Sequence, residues 1–98
     1  MSEEVFMCVR IQAKPNKVSE LHKRLLEMVN KTSQESGNIF YNLHIDLHDP
    51  TIFYFMEGWR DQEALDFHDA TPYVRAILEA APVLSENGFR VELMRRIT

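Results

Sequence analysis

The sequence predicts a single α+β domain in which strands and helices follow the order β-α-β-β-α-β. Three observations lead to this prediction: stretches that alternate in polarity, stretches with apolar residues at helical spacing, and a small number of Gly and Pro residues that mostly fall at the junctions. This order is typical of a ferredoxin-like fold, in which helices cover one face of a four-stranded antiparallel sheet. We expect the domain to cover residues 4–97 of the 98-residue chain.

The first strand and helix lie in the N-terminal third. Residues 4–14 alternate and are rich in β-branched and aromatic residues, which is typical of a strand. Pro15 and Asn16 then begin a helix that extends to about residue 35. Gly37 and Asn38 tolerate a left-handed conformation, so we expect them to end this helix. Its predicted buried residues are Val18, Leu21, Leu25, Met28 and Val29.

A hairpin is predicted next. Residues 39–47 alternate between an apolar face and a face that carries Asn42 and His44. Asp49 and Pro50 indicate a tight turn, after which residues 51–59 return as the third strand. Residues 52–56 of that strand are apolar on both sides, which is unusual for a half-exposed antiparallel strand.

The second helical region is predicted to be split into two pieces. Asp61 is a suitable N-cap for a short helix that carries His68. Thr71 and Pro72 are typical N-cap and first-turn residues, so they begin another helix. A turn at residues 87–88 then leads to the last strand, residues 89–97.

Composition excludes several classes of function. A net charge of −4 and a pI near 5.5 argue against nucleic acid or a membrane surface as partner. The chain begins with neither the basic start nor the apolar run of a signal peptide, so we expect a cytoplasmic protein. Walker, GxGxxG, CxxC and GxSxG motifs are absent, so we expect any redox chemistry to use no nucleotide, nicotinamide or flavin cofactor.

One face of the sheet is expected to need a partner. Two helical layers cover only one face, and the other would expose Phe, Met and Val side chains. The simplest solution is a homodimer in which two copies pack sheet against sheet about a twofold axis. The alternative is that sheet twist hides this surface within one chain.

His68 is the leading candidate for a catalytic residue. It follows Ala64 by one turn and Leu65 by three residues, so we expect all three to face the sheet. A neutral imidazole, with a reference pKa of about 6.5, is an effective general base near neutral pH. The alternative is a histidine at the edge of the core that is bonded to a backbone carbonyl.

Further polar and aromatic residues predict a small pocket. Asn42 and His44 lie on the polar face of the second strand, and Tyr54 lies on its neighbour, where polar groups need partners. Trp59 either packs in the core or lines an aromatic pocket. Tyr73 is a second aromatic candidate.

A metal site was weighed against this pocket. His44, Asp46 and His48 recur at every second position and could approach an ion. Alternate residues of a strand are about 6.6 Å apart, which is wide for shared coordination. His48 also belongs to the turn, so we expect no metal.

Residues 37–73 resemble the antibiotic biosynthesis monooxygenase family of dimeric α+β barrels. The matching pieces are Gly37, residues 41–44, Asp49-Pro50-Thr51, residues 53–57 with Trp59, Ala64-Leu65, His68 and Thr71-Pro72. The resemblance implies a homodimer with a pocket between helices and sheet in each subunit. Members include cofactor-independent monooxygenases of quinols and phenols, haem-degrading enzymes and isomerases of phosphorylated sugars. Many members carry histidine where this chain has Tyr73, so the resemblance offers only one imidazole in this region.

The leading hypothesis is a cofactor-free monooxygenase of an electron-rich phenol or quinol. His68 would deprotonate the substrate, with Tyr54 as the second catalytic candidate. Asn42 and His44 would hydrogen-bond the substrate, and Trp59 and Tyr73 would form aromatic walls. One alternative is an isomerase of a small carbonyl metabolite, for which Arg75 is the only nearby cation that could hold a phosphate. Another is a non-catalytic domain that binds a small aromatic ligand.

Overall fold

A computed structural model describes residues 3–98 and contains the predicted elements in the predicted order. The four strands form one antiparallel sheet in the order β2-β3-β1-β4, so the α+β ferredoxin-like fold is confirmed, with its second helix in two pieces. The elements are β1 (Val5–Gln12), α1 (Val18–Thr32), β2 (Asn38–Ile45), β3 (Ile52–Trp59), α2 (Gln62–Asp69), α3 (Pro72–Leu84) and β4 (Arg90–Met94).

The alternation of the central strand β3 separates two faces of the sheet. Phe53, Phe55 and Trp59 point towards the helices and are buried. The intervening residues point to the other side, as do their cross-strand neighbours on β1 and β2. We call this second side the open face; its residues include Phe6, Cys8, Phe40, Asn42, His44, Tyr54 and Met56.

The helices bury apolar stripes against the first face only. Leu21, Leu25 and Met28 of α1 are buried, as their helical spacing predicts. The buried residues of α3 are Val74, Ile77, Ala81 and Leu84, whereas Tyr73 and Ala80 are partly buried. Within residues 3–98, no helix has the length and hydropathy needed to cross a bilayer.

The end of α1 differs from the sequence-based expectation. The helix ends at Thr32, and among residues 3–98 only Gly88 has a positive φ. The prediction that Gly37 and Asn38 end α1 through a left-handed conformation is therefore wrong. Gly37 serves close packing instead, because a Cβ atom there would lie 2.4 Å from the Cβ of Ala64. The loop after α1 is thus held against α2.

Both predicted helix caps are confirmed, and they frame α2. The Asp61 carboxylate accepts a hydrogen bond from the backbone N–H of Ala64 at 2.8 Å. Thr71 Oγ1 accepts from the N–H of Val74 at 3.4 Å, and its hydroxyl donates to the carbonyl of His68 at 2.7 Å. The short helix that carries His68 is therefore anchored at both ends.

Candidate functional site

A cavity of about 420 Å³ opens between the sheet and the helices. The sheet and the helices both contribute apolar side chains to its wall, including Val9 and Phe55 from the sheet, Leu25 from α1 and Ile77 from α3. Its polar groups come mainly from α2 and β3. A cavity of this size and polarity is typical of a site for a small organic molecule.

His68 lies in the cavity wall with only 4% of its surface exposed. Its Nδ1 atom is 2.8 Å from Oε2 of Glu35. An ionised carboxylate can only accept, so this contact places a hydrogen on Nδ1, and in the neutral ring the lone pair is then on Nε2. The ring packs 4.5 Å from the centre of Trp59 and 5.7 Å from that of Tyr41. These contacts therefore fix the orientation of the His68 ring and the tautomer of its neutral form.

Glu35 is the residue that orients His68. Its side chain is 7% exposed, and its Oε2 atom also accepts a hydrogen bond from the Tyr73 hydroxyl. Burial is the main cause that raises the pKa of Tyr73 to about 12, and this hydrogen bond adds to the rise. Glu35 Oε1 is buried and has no hydrogen-bond partner within residues 3–98. The arrangement of acid and imidazole follows the base-orienting logic of catalytic triads.

Glu57 places a second carboxyl at the cavity. It is 3% exposed, and its Oε1 atom accepts a hydrogen bond from Trp59 Nε1 at 3.0 Å. Burial raises the pKa of Glu57 to about 7; the Trp59 hydrogen bond opposes this rise, and the charges of Asp69 and Glu35 add to it. Near neutral pH a large fraction of this carboxyl is therefore protonated. Burial likewise raises the pKa values of Tyr41 and Asp69 above their ordinary ranges.

Three of the predicted site residues lie on the opposite face of the sheet from His68. Asn42, His44 and Tyr54 are on the open face, whereas His68 is on the helix side of the sheet. The Tyr54 hydroxyl donates instead to Asp46 at 3.1 Å. This placement corrects the expectation that these residues surround one ligand together with His68.

Two further predicted residues support the cavity without lining it. Trp59 is fully buried behind His68 and is bonded to Glu57. Tyr73 is half-buried and holds Glu35, and Lys31 Nζ lies 5.8 Å from its ring centre. Both therefore position other site residues and do not form the expected aromatic walls.

Asp46 is the central carboxylate of the metal site considered from the sequence, and both of its oxygens accept hydrogen bonds within the hairpin. Asp46 Oδ2 accepts hydrogen bonds from the backbone N–H groups of His48 and Asp49, both at 3.0 Å. Its other oxygen accepts from Tyr54. Asp46 therefore shapes the hairpin turn.

Sequence reasoning missed Glu35 and Glu57 as site residues. The alternation of β3 could have identified Glu57, because it shares the inward parity of Phe55 and Trp59. No comparable pattern marks Glu35, which lies in a loop 33 residues before His68.

Comparison with known proteins supports this fold. Residues 5–80 match the family model described as antibiotic biosynthesis monooxygenase. The crystal structure of PA3566 from Pseudomonas aeruginosa is 30% identical with a TM-score of 0.93, covering 100% of this chain and 98% of that one. A crystal structure described as an antibiotic biosynthesis monooxygenase is 29% identical with a TM-score of 0.89, covering 96% and 99%. The uncharacterized protein sll1783 of Synechocystis is 30% identical over 93 residues, which are 95% of this chain and 63% of that protein.

Proposed function

Because this chain belongs to the antibiotic biosynthesis monooxygenase family, we propose that it is a cofactor-independent monooxygenase of an electron-rich phenol or quinol. One observation carries the proposal: His68, with Nδ1 bonded to Glu35, stands in the wall of a largely apolar cavity. Such a cavity suits an aromatic ring, and the free Nε2 suits a hydroxyl group.

The chemistry begins with proton transfer from the substrate hydroxyl to His68 Nε2. Glu35 stabilises the imidazolium that forms, because its carboxylate already accepts from Nδ1. The substrate anion can then pass an electron to dioxygen. For a hydroquinone, one oxygen atom enters the ring and the other leaves as water, which gives a hydroxyquinone. The substrate supplies all the electrons, so no external reductant is needed.

The charge of the cavity favours an uncharged substrate. Its titratable lining residues include Glu57, His68 and Asp69, and among residues 3–98 no lysine or arginine lines it. Arg75, the cation considered for a phosphate, is exposed on α3 and is not part of the wall. A phosphorylated substrate would meet carboxylates without a compensating cation, which costs binding energy. This arrangement favours a phenol or quinol over a phosphorylated isomerase substrate.

A homodimer through the open face is part of the proposal. Phe6 and Phe40 stack there with ring centres 6.1 Å apart, and Met56 and Cys8 are only half-buried. A second copy packed on this face would remove these apolar side chains from water. The cavity of each protomer lies on the opposite side of the sheet and would stay accessible.

Oxygen uptake with a panel of hydroquinones and naphthols, with and without a chelator, tests the function. We expect His68→Ala to lower kcat by at least about tenfold, since general-base catalysis contributes about 10²–10⁴-fold. His48→Ala, an exposed histidine in the hairpin turn, is the matched control and should retain activity. If no substrate supports turnover that depends on His68, the monooxygenase proposal fails. Turnover without oxygen would indicate an isomerase, and ligand-dependent stabilisation without turnover would indicate a binding domain.

A further inference from the structure

Glu57 has a carboxyl oxygen that the fold does not use. Oε1 accepts from Trp59, but Oε2 has no hydrogen-bond partner within residues 3–98. Oε2 is not among the fully buried atoms that lack a partner, so it reaches the space of the cavity that Glu57 lines. A ligand in the cavity is the simplest partner for it.

The hydrogen bond from Trp59 determines which oxygen can carry a proton. An indole N–H only donates, so Oε1 must act as the acceptor. A carbonyl oxygen is the better acceptor of the two oxygens of a protonated carboxyl, so the bond from Trp59 favours the hydrogen on Oε2, which is free to donate to a ligand. Glu57 can thus present an O–H group to the cavity.

The surroundings of Glu57 favour the protonated form. Its neighbours on β1, α1, α3 and β4 line the cavity with apolar side chains, and no lysine or arginine of residues 3–98 joins them. An ionised carboxylate would be poorly solvated there and would face other negative charge. The titratable groups around Glu57 are Tyr41 on β2, Glu35 in the loop after α1, and His68 and Asp69 on α2.

We propose that Glu57 contacts the ligand directly, as a carboxylic acid that donates a hydrogen bond from Oε2 to a ligand oxygen. His68 lines the same cavity and accepts from a ligand hydroxyl where the ligand has one, whereas the acceptor oxygen that Glu57 needs is present in a quinol and in its quinone alike. The inference rests on the proposed site at His68, but not on the reaction with oxygen. Only hydrogen bonds form at Glu57, and no covalent bond changes there.

The pairing has a consequence for the reaction. When His68 takes a proton, negative charge develops on the ligand, and it spreads through a conjugated ring to the second oxygen. A donor already aimed at that oxygen stabilises the charge without reorganisation. Glu57 therefore acts at the opposite end of the ligand from the base.

Anaerobic binding of 1,4-naphthoquinone tests this inference. The probe has two carbonyl acceptors and no titratable proton, so any pH dependence of binding belongs to the protein. Binding can be followed by the fluorescence of Trp59, the only tryptophan of the chain. In the wild type we expect affinity to fall by about tenfold between about pH 6 and about pH 8, as the donor is lost.

Glu57→Gln is the decisive variant. Its amide oxygen can accept from Trp59, and its amide N–H can donate to the probe at every pH. We expect affinity within about twofold of the wild-type value at low pH, without the pH dependence. His68→Asn should keep the dependence. The inference is overturned if Glu57→Gln keeps it, if His68→Asn abolishes it, or if the probe does not bind at either pH.

A second measurement on the wild type tests the inference even if Glu57→Gln does not fold. The infrared difference spectrum of the wild type on adding naphthoquinone should contain a shifted band from a protonated carboxyl. Absence of that band overturns the inference without any substitution. If the probe binds as expected and no hydroquinone supports oxygen uptake, only the monooxygenase proposal fails.

Discussion

A single oxygen atom, Glu35 Oε2, receives hydrogen bonds from both His68 and Tyr73. The two donors come from different helices, His68 from α2 and Tyr73 from α3. The loop after α1 is therefore joined to both helices at one atom. Tyr73 contributes a phenol hydroxyl that donates to the acid that orients the base.

Replacement of Glu35 by glutamine should affect catalysis more than binding. The amide oxygen can still accept from His68, but it carries no charge to stabilise the imidazolium. We expect kcat to fall by about tenfold, with KM changed by less than about threefold. Nitrogen NMR of the His68 ring should show the same Nδ1–H tautomer in both proteins, so that the loss in kcat reflects the missing charge and not a displaced ring. Glu63→Gln, on the exposed side of α2, is the control, and equal losses in both variants would contradict the role of Glu35.

Glu57 should make the stability of the protein depend on pH. Its pKa is about 7 in the fold and near 4.5 in the unfolded chain, so the folded state binds the proton more tightly. The resulting stabilisation is fully present below about pH 4.5 and is lost as the pH rises through 7. Between about pH 5 and about pH 8 the wild type should lose about 2 to 3 kcal/mol relative to Glu57→Gln. Urea unfolding of both proteins measures this, and parallel pH profiles would contradict it.

Individual site residues were predictable to different degrees. His68 could be found because helical spacing aligns it with Ala64 and Leu65, and all three are buried. Glu57 was identifiable by strand parity, because it shares the inward side of Phe55 and Trp59. Glu35 was not identifiable, since only the folded chain brings its loop to α2.

At the scale of elements, α2 shows how local signals specify structure. Eight residues make a helix too short to be stable alone, so its position depends on its ends. The cap residues Asp61 and Thr71 were recognisable in the sequence because their roles need only nearby backbone groups. The role of Gly37 was misassigned because it depends on a contact with Ala64 across the fold.

Substitution of Gly37 by alanine should separate the loop after α1 from α2. The added methyl group would overlap the side chain of Ala64, so we expect a loss of about 1 to 3 kcal/mol in the free energy of unfolding. The same displacement should lengthen the contact between Glu35 and His68 and lower activity. The double variant Gly37→Ala with Ala64→Gly restores the space, so it should recover activity and part of the stability, since glycine within α2 itself costs about 0.5–1 kcal/mol. Failure of this rescue would contradict steric contact as the cause.

At the scale of the whole molecule, the sequence shows which residues of β2 and β3 share a face of the sheet. It does not show which of the two faces the helices cover. The polar residues Asn42 and His44 suggested a pocket on their own face. The helices instead cover the face of Tyr41 and Phe55, and the cavity forms there. Alternation reports which side chains share a face, whereas the covered face follows from the packing of all the elements.

The proposed dimer should depend on the apolar residues of the open face. We expect light scattering after size-exclusion chromatography to give twice the 11.5 kDa chain mass at micromolar concentration. Met56→Glu places a charge at the centre of that face and should yield a monomer. Leu26→Glu alters an exposed leucine on α1 and should remain dimeric. A monomeric wild type would refute the dimer.

The cavity shares its wall with the hydrophobic core. Val9, Leu25, Phe55, Leu65 and Ile77 belong to both, so a bound molecule would complete the packing of the whole domain. Occupancy and unfolding are then thermodynamically linked: a ligand present at about 100 times its dissociation constant adds about 2.7 kcal/mol to stability. The rise in melting temperature on adding a compound therefore ranks candidate substrates before any reaction is known. The protein's own heat resistance can be used to search for its ligand.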